Sequence, residues 1–169
     1  MEDLYDQQQA DRTSLGVFKP RKIHDLLITP ADPDWKPGFR AALRQARLWE
    51  TRTVSREPPC KVPFKFQYQF ECDDSRCKGH RMMIEDWEVG ALFWRLVDKG
   101  FSHNDAAAGV REKFLGDLGG PERDTHFFAG TILAHPRTWV VIGVFYPKIQ
   151  PDKRETATDP TLFDMKGNP

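Results

Sequence analysis

The sequence has no apolar run long enough for a membrane helix, and its first residues are acidic and polar. A helix that spans a bilayer takes about 20 consecutive apolar residues, and a secretory leader has a basic start followed by an apolar stretch. Because both features are missing, we expect neither a transmembrane helix nor a signal peptide. We expect a cytoplasmic protein, and its 169 residues fit a single domain.

Signature motifs of the common enzyme classes are also missing. The chain has no G-x-S-x-G elbow, no Walker A loop, no G-x-G-x-x-G turn and no H-E-x-x-H helix. These absences remove most of the support for serine hydrolases, P-loop nucleotide hydrolases, dinucleotide enzymes and zinc proteases. Only three cysteines are present, which is one too few for a zinc ribbon built from four.

The charges balance, with 25 basic and 25 acidic residues, which argues against a protein that coats nucleic acid through its overall charge. The balance is uneven along the chain, because residues 19–61 carry ten basic and five acidic residues. Within this segment Arg40, Arg44 and Arg47 share one side of a helix predicted over residues 37–49. We predict that these arginines contact the phosphates of nucleic acid. An ordinary mixed surface is the alternative.

Hydrophobic periodicity and turn signals predict an α+β domain with a largely antiparallel sheet packed by about three helices. The predicted element order is β-α-β-β-α-α-β-β, and the last two strands are joined by a turn at residues 135–137. The domain is expected to cover residues 15–149. A mobile segment at residues 1–14 precedes it, and a polar tail at residues 150–169 follows it.

The clearest predicted strand covers residues 64–71, where aromatic and polar residues alternate strictly. The aromatic positions are Phe64, Phe66, Tyr68 and Phe70. We interpret this stripe as the core face of the sheet, because four exposed aromatic side chains in a row would promote aggregation. A base-stacking platform for nucleic acid is the alternative.

A group of cysteine and histidine residues follows this strand, in the loop of a predicted β-hairpin. Cys72, Cys77 and His80 supply thiolates and an imidazole, which are ligands that Zn²⁺ prefers. Because Gly79 allows a tight backbone beside them, we predict a structural zinc site here. The candidates for the fourth ligand are Cys60, Asp73, Asp74, His126 and water. The alternatives are a free or reversibly oxidised cysteine pair and a plain hairpin loop with incidental cysteines.

Three further side chains are candidates for catalysis. Asp86 and Glu88 lie at the start of a predicted helix, where capping and the helix dipole favour acidic residues without any catalytic role. Together with His126 on a later strand, they would form the site of a metal-dependent phosphodiesterase or nuclease-like enzyme. A histidine that only hydrogen-bonds within the structure is the alternative for His126.

The C-terminal tail contains the pair Leu162 and Phe163. Through this pair, the segment of residues 161–164 resembles the peptides that dock on bacterial sliding clamps. The resemblance implies a protein partner for the tail. The sequence as a whole predicts a small accessory protein that holds a structural zinc and associates with nucleic acid or a nucleic-acid-processing complex. The nuclease-like enzyme and a non-catalytic adaptor between proteins are the two alternatives.

Overall fold

A computed structural model describes residues 1–38 and 60–149 of the chain. In these residues the structure has three α-helices, one π-helix and six strands. They are α1 (Glu2–Asp11), β1 (Leu15–Phe18), β2 (Lys22–Pro30), β3 (Phe64–Glu71), β4 (His80–Ile84), α2 (Trp87–Asp98), α3 (His103–Arg111), the π-helix (Glu112–Asp117), β5 (His126–Ile132) and β6 (His135–Phe145). None of these helices is both long and apolar enough to cross a bilayer.

The six strands form one mixed sheet in the order β1-β5-β6-β4-β3-β2. Every neighbouring pair is antiparallel except β4 and β6, which run parallel with Met83 opposite Val140. The structure therefore confirms an α+β protein whose sheet is mostly antiparallel. The predicted element order lacks helix α1 and the π-helix, and it counts β1 and β2 as one strand. The predicted helix over residues 37–49 lies almost entirely outside the described residues.

Strand β3 carries the centre of the hydrophobic core. Its side chains Phe66, Tyr68 and Phe70 are at most 2% exposed. The rings of Tyr68 and Phe70 pack against Phe127 of β5, with centroid distances of 4.7 and 5.4 Å. The interpretation of this stripe as the core face is therefore confirmed. A base-stacking platform is excluded for these three rings, because buried rings cannot receive nucleic-acid bases.

Helices α2 and α3 each begin at a capping residue, and for α2 this is Asp86, which the sequence places at a helix start. The Asp86 carboxylate accepts a hydrogen bond from the backbone N–H of Glu88 at 2.9 Å. The Ser102 hydroxyl accepts one from the backbone N–H of Asp105 at 3.1 Å. Each bond satisfies a backbone donor that has no partner inside the helix. These caps fix the residues at which α2 and α3 begin.

Two regions differ from the sequence prediction. The sequence predicts no element before residue 15, whereas the structure has helix α1 there and Met1 is buried. Apolar periodicity could not reveal α1, because the helix has no buried side chain of its own. The turn predicted at residues 135–137 is also wrong. Strand β6 already begins at His135, which pairs with Ile132 of β5.

A buried hydroxyl connects β3 to the π-helix. The Tyr68 hydroxyl donates a hydrogen bond to the carbonyl oxygen of Phe114 at 2.8 Å. In the π-helix the backbone bonds span five residues, as in the bond from the Leu118 N–H to the Lys113 carbonyl at 3.0 Å. Burial raises the pKa of Tyr68, which keeps the hydroxyl protonated as a donor. This bond satisfies a backbone acceptor inside the core.

We expect Tyr68→Phe to lower the free energy of unfolding by about 1–2 kcal/mol, because the Phe114 carbonyl would lose its buried donor. Urea denaturation followed by tryptophan fluorescence measures this change. Tyr146→Phe is the matched control, because the Tyr146 hydroxyl has no hydrogen-bond partner among the described residues. Equal losses in the two variants would contradict the role assigned to Tyr68.

Candidate metal centre

Four side chains with metal-binding atoms converge beside the hairpin of β3 and β4. They are Glu2, Cys72, Cys77 and His80, which we call the ligand cluster, and their ligand atoms all lie within 4.8 Å of one another. Cys72 directly follows β3, Cys77 lies in the hairpin loop and His80 begins β4. Glu2 comes from the first turn of α1. The ligand cluster thus joins two parts of the chain that are far apart in sequence.

The Nε2 atom of His80 is the meeting point of this cluster. The Sγ atoms of Cys72 and Cys77 each lie 3.3 Å from it. Oε1 of Glu2 also lies 3.3 Å from it. An imidazole nitrogen carries one proton or one lone pair, so it cannot form good hydrogen bonds with three such atoms at once. A cation between them satisfies all four ligand atoms together.

The three separations from Nε2 of His80 are compatible with a metal site. Zinc bonds of about 2.3 Å to sulfur and about 2.0–2.1 Å to nitrogen or oxygen place two corner atoms about 3.5 Å apart. The observed separations of 3.3 Å are close to this value. Among residues 1–38 and 60–149, the ligand cluster is the only group of three or more such side chains.

The hairpin loop positions its thiols through backbone N–H groups. The N–H groups of Cys72 and Gly79 lie 3.3 and 3.4 Å from Sγ of Cys77. Gly79 holds a φ of +86°, a left-handed backbone in which a residue with a Cβ atom is strained. The left-handed backbone at this position therefore explains why a glycine, Gly79, lies beside the ligands, as the sequence analysis expected.

Burial and hydrogen bonds set the protonation of the ligands. Burial lowers the pKa of His80 and so favours the neutral imidazole that binds metals. Burial raises the pKa of the Cys72 thiol. Burial also acts to raise the pKa of Cys77, but the N–H donors of Cys72 and Gly79 outweigh it, and the pKa is lowered. Cys77 is therefore the thiol that more readily becomes a thiolate.

Helix α1 is attached to the hairpin loop by additional contacts around the ligand cluster. Arg76 of the loop forms ion pairs with Asp6 at 3.0 Å and with Asp3 at 3.5 Å. The ring of Tyr5 lies 6.2 Å from the ring of His80. Exposed ion pairs such as those of Arg76 contribute little individually. The ligand cluster and the packing of Met1, Leu4 and Tyr5 against the core therefore both place α1 beside the loop.

The structure brings together the three predicted ligands and adds one that the sequence analysis missed. Glu2 completes the ligand cluster, and none of the predicted candidates for the fourth position belongs to it. Cys60 is exposed, and Asp74 pairs with Arg76 at 2.9 Å. The cysteines of the loop are both free, so the structure shows no oxidised pair. No local pattern links Glu2 to the loop, because their contact exists only in the folded chain.

The catalytic candidates form no comparable group among the described residues. Asp86 caps α2 and Glu88 lies in the first turn of that helix. His126 lies in β5, where its Nδ1 atom is 3.0 Å from the carbonyl oxygen of Asp124. Each side chain thus has a local structural explanation. Catalysis by Asp86, Glu88 and His126 stays a prediction that this geometry does not support.

Two predicted binding segments lie outside the described residues. The first is the basic helix face with Arg40, Arg44 and Arg47, and the second is the tail with Leu162 and Phe163. Contacts with nucleic acid or with a protein partner through these residues stay predictions.

The fold and the ligand cluster together define an α+β protein with a metal-ligand set of two cysteines, a histidine and a glutamate. The chain belongs to the family described as Domain of unknown function (DUF8757), which matches residues 1–165. All four members of the ligand cluster lie inside this match. No curated protein and no solved structure matches the chain.

We expect Gly79→Ala to weaken metal binding, because an L-residue at this φ is strained by roughly 1–2 kcal/mol and the strain disturbs the N–H groups around Cys77. Competition with a chromogenic chelator measures the affinity. Gly100→Ala is the matched control, because Gly100 has a similar φ of +93° but lies beyond the end of α2. Both variants should lose thermal stability, and only Gly79→Ala should lose affinity. Equal metal affinities of Gly79→Ala and Gly100→Ala would contradict this role of Gly79.

Proposed function

We propose that the protein binds one Zn²⁺ in the ligand cluster and that this ion is structural. The observation that carries the proposal is the convergence of two Sγ atoms and a carboxylate oxygen on Nε2 of His80, each at 3.3 Å. Two thiolates, an imidazole and a carboxylate fill all four corners of a tetrahedron. No corner is left for a substrate or a reactive water, which is typical of structural rather than catalytic zinc.

The burial of the ligand cluster supports a structural role. Cys72 is 3% exposed, and the side chains of His80 and Glu2 are 9% and 24% exposed. A metal that binds only the folded chain stabilises the folded state. This stabilisation extends to helix α1, because an isolated helix of ten residues is marginal in water and only Leu4 and Tyr5 of α1 pack against the core.

The first test is the zinc content of the purified protein, measured by inductively coupled plasma mass spectrometry. We expect about one equivalent in the unmodified chain and less than about half an equivalent in Cys77→Ser. Glu2→Gln should weaken zinc affinity by at least about tenfold, since even outer partners of metal ligands contribute about 10- to 100-fold. Cys60→Ser is the matched control, because Cys60 is exposed and lies outside the ligand cluster.

A second measurement distinguishes a variant that has lost a zinc ligand from a variant that fails to fold. Cobalt substituted for zinc should give the visible absorption of a tetrahedral ion with thiolate ligands, and Glu2→Gln should alter this spectrum while the chain still unfolds cooperatively in urea. Equal zinc contents in Cys77→Ser and Cys60→Ser would contradict the proposal. An octahedral cobalt spectrum in the unmodified chain would contradict it as well.

We propose, as the wider role of this zinc protein, an accessory function in association with nucleic acid or a nucleic-acid-processing complex. Its support is the excess of basic residues over positions 19–61. Two of these residues are neutralised in the structure, because Arg21 pairs with Glu71 and Lys19 pairs with Asp124 at 2.5 Å. The proposal therefore rests on Arg40, Arg44 and Arg47, which lie outside the described residues.

Replacing Arg40, Arg44 and Arg47 by alanine together should weaken binding to nucleic acid and reduce its salt dependence. Each phosphate contact contributes about 0.7–0.9 to the slope of log K against log salt, so the slope should fall by about two to three. Fluorescence anisotropy with labelled single- and double-stranded oligonucleotides at several salt concentrations measures both quantities.

A matched control variant removes three exposed cations elsewhere, namely Arg95, Lys99 and Lys148. It changes the net charge by the same amount, and all three residues lie outside the basic segment. The control should keep the affinity and slope of the unmodified chain. Equal effects of the two triple variants, or no binding by the unmodified chain, would refute the nucleic-acid proposal.

A further inference from the structure

A cavity of about 890 Å³ lies between helix α1 and the turn that joins β5 to β6. This volume falls in the range of sites that bind small molecules, about 300–1,000 Å³. Tyr5 and Arg12 line it from the side of α1, and Thr131, Leu133 and Arg137 line it from the side of the two strands. The cavity is separate from the ligand cluster, since no member of that cluster lines it.

The cavity has an unbalanced positive charge. Arg12 and Arg137 both line it, no acidic residue does, and neither arginine has an ion-pair partner among the described residues. Some other arginines do have such partners, for example Arg111, which pairs with Asp25 at 2.6 Å. Arg81, Arg95 and Arg123 have none among the described residues. Two guanidinium groups that share a cavity without a carboxylate are suited to an oxyanion, above all a phosphate.

The end of helix α1 places Arg12 at the cavity. Arg12 caps the C-terminal end of α1 with a φ of +64°, and its backbone N–H donates a hydrogen bond to the carbonyl oxygen of Gln8 at 3.1 Å. A left-handed residue is a common way for a helix to end. The cap therefore fixes where the chain turns from α1 towards β1, with Arg12 lining the cavity.

The rest of the lining is suited to the organic part of a ligand. Ser14 and Thr131 offer hydroxyl groups that donate and accept hydrogen bonds. Tyr5 offers an aromatic ring, and Leu133 is an apolar side chain that is 97% exposed. An aromatic ring and an exposed leucine that line the same space are suited to contact with a flat apolar group. The space is also far larger than a lone phosphate ion needs.

We propose that this cavity binds a phosphorylated organic molecule of nucleotide size. Arg12 and Arg137 hold its phosphate, and Tyr5 and Leu133 contact its base or another flat apolar group. The proposal rests in part on the proposed zinc, because the ion helps to hold α1, which forms one wall of the cavity. It concerns a small molecule and is independent of the basic segment at residues 19–61.

The test is calorimetric titration of the zinc-loaded full chain with adenosine 5′-monophosphate as the probe, and with adenosine and inorganic phosphate as comparisons. We expect saturable binding of the monophosphate and at least about tenfold weaker binding of both comparisons. Arg137→Gln and Arg12→Asn should each weaken binding of the monophosphate by about tenfold or more. Asparagine is chosen at position 12 because it tolerates a positive φ.

Arg95→Gln is the matched control, because this exposed arginine of α2 lies outside the cavity, and it should bind the monophosphate as the unmodified chain does. Equal binding by Arg137→Gln and Arg95→Gln would overturn the proposal. Adenosine or inorganic phosphate binding as tightly as the monophosphate would overturn it too.

Zinc measured on the same samples separates this proposal from the zinc proposal. Fully zinc-loaded protein that does not bind the monophosphate overturns the cavity proposal alone. Protein without zinc that binds the monophosphate normally overturns the structural role of zinc alone.

Discussion

The convergence of two thiols and a carboxylate on one imidazole nitrogen is the constraint on which the arrangement of this protein depends. All three contacts are 3.3 Å long, and all three partner atoms are rich in electrons. Without a cation, the imidazole nitrogen can form a good hydrogen bond with only one of these three atoms at a time. A cation at this point would bind all four groups and connect the N-terminal helix to the hairpin of β3 and β4. The proposed zinc is thus a cross-link between these two parts of the chain.

The consequences of this cross-link reach beyond the hairpin. Helix α1 has no fully buried side chain, whereas α2 and α3 each bury at least two. Its apolar contact with the core is limited to the partly buried Leu4 and Tyr5 and to Met1 at its start. Polar contacts add to this packing, including the ion pairs of Arg76 and the bond from Trp139 Nε1 to Gln8 at 3.2 Å. Because α1 also forms one wall of the 890 Å³ cavity, the proposed metal site and the proposed nucleotide site share one element.

Sequence patterns predicted the local features of this fold and missed the long-range ones. The alternation along β3 and the cap at Asp86 depend on near neighbours in the chain, so they were predictable. The parallel pairing of β4 with β6 and the approach of Glu2 to the loop depend on tertiary packing. The spacing of the cysteines and His80 therefore indicated three ligands. The fourth came from a helix with no apolar pattern to reveal it.

X-ray absorption spectroscopy at the zinc edge of the purified full chain tests the central claim most directly. The account predicts a first shell of two sulfur atoms at about 2.3 Å and two nitrogen or oxygen atoms at about 2.0–2.1 Å. Glu2→Gln should change the nitrogen and oxygen part of this shell and leave both sulfur atoms in place. A shell of nitrogen and oxygen alone, a shell of three or more sulfur atoms, or a sample without zinc would contradict the account.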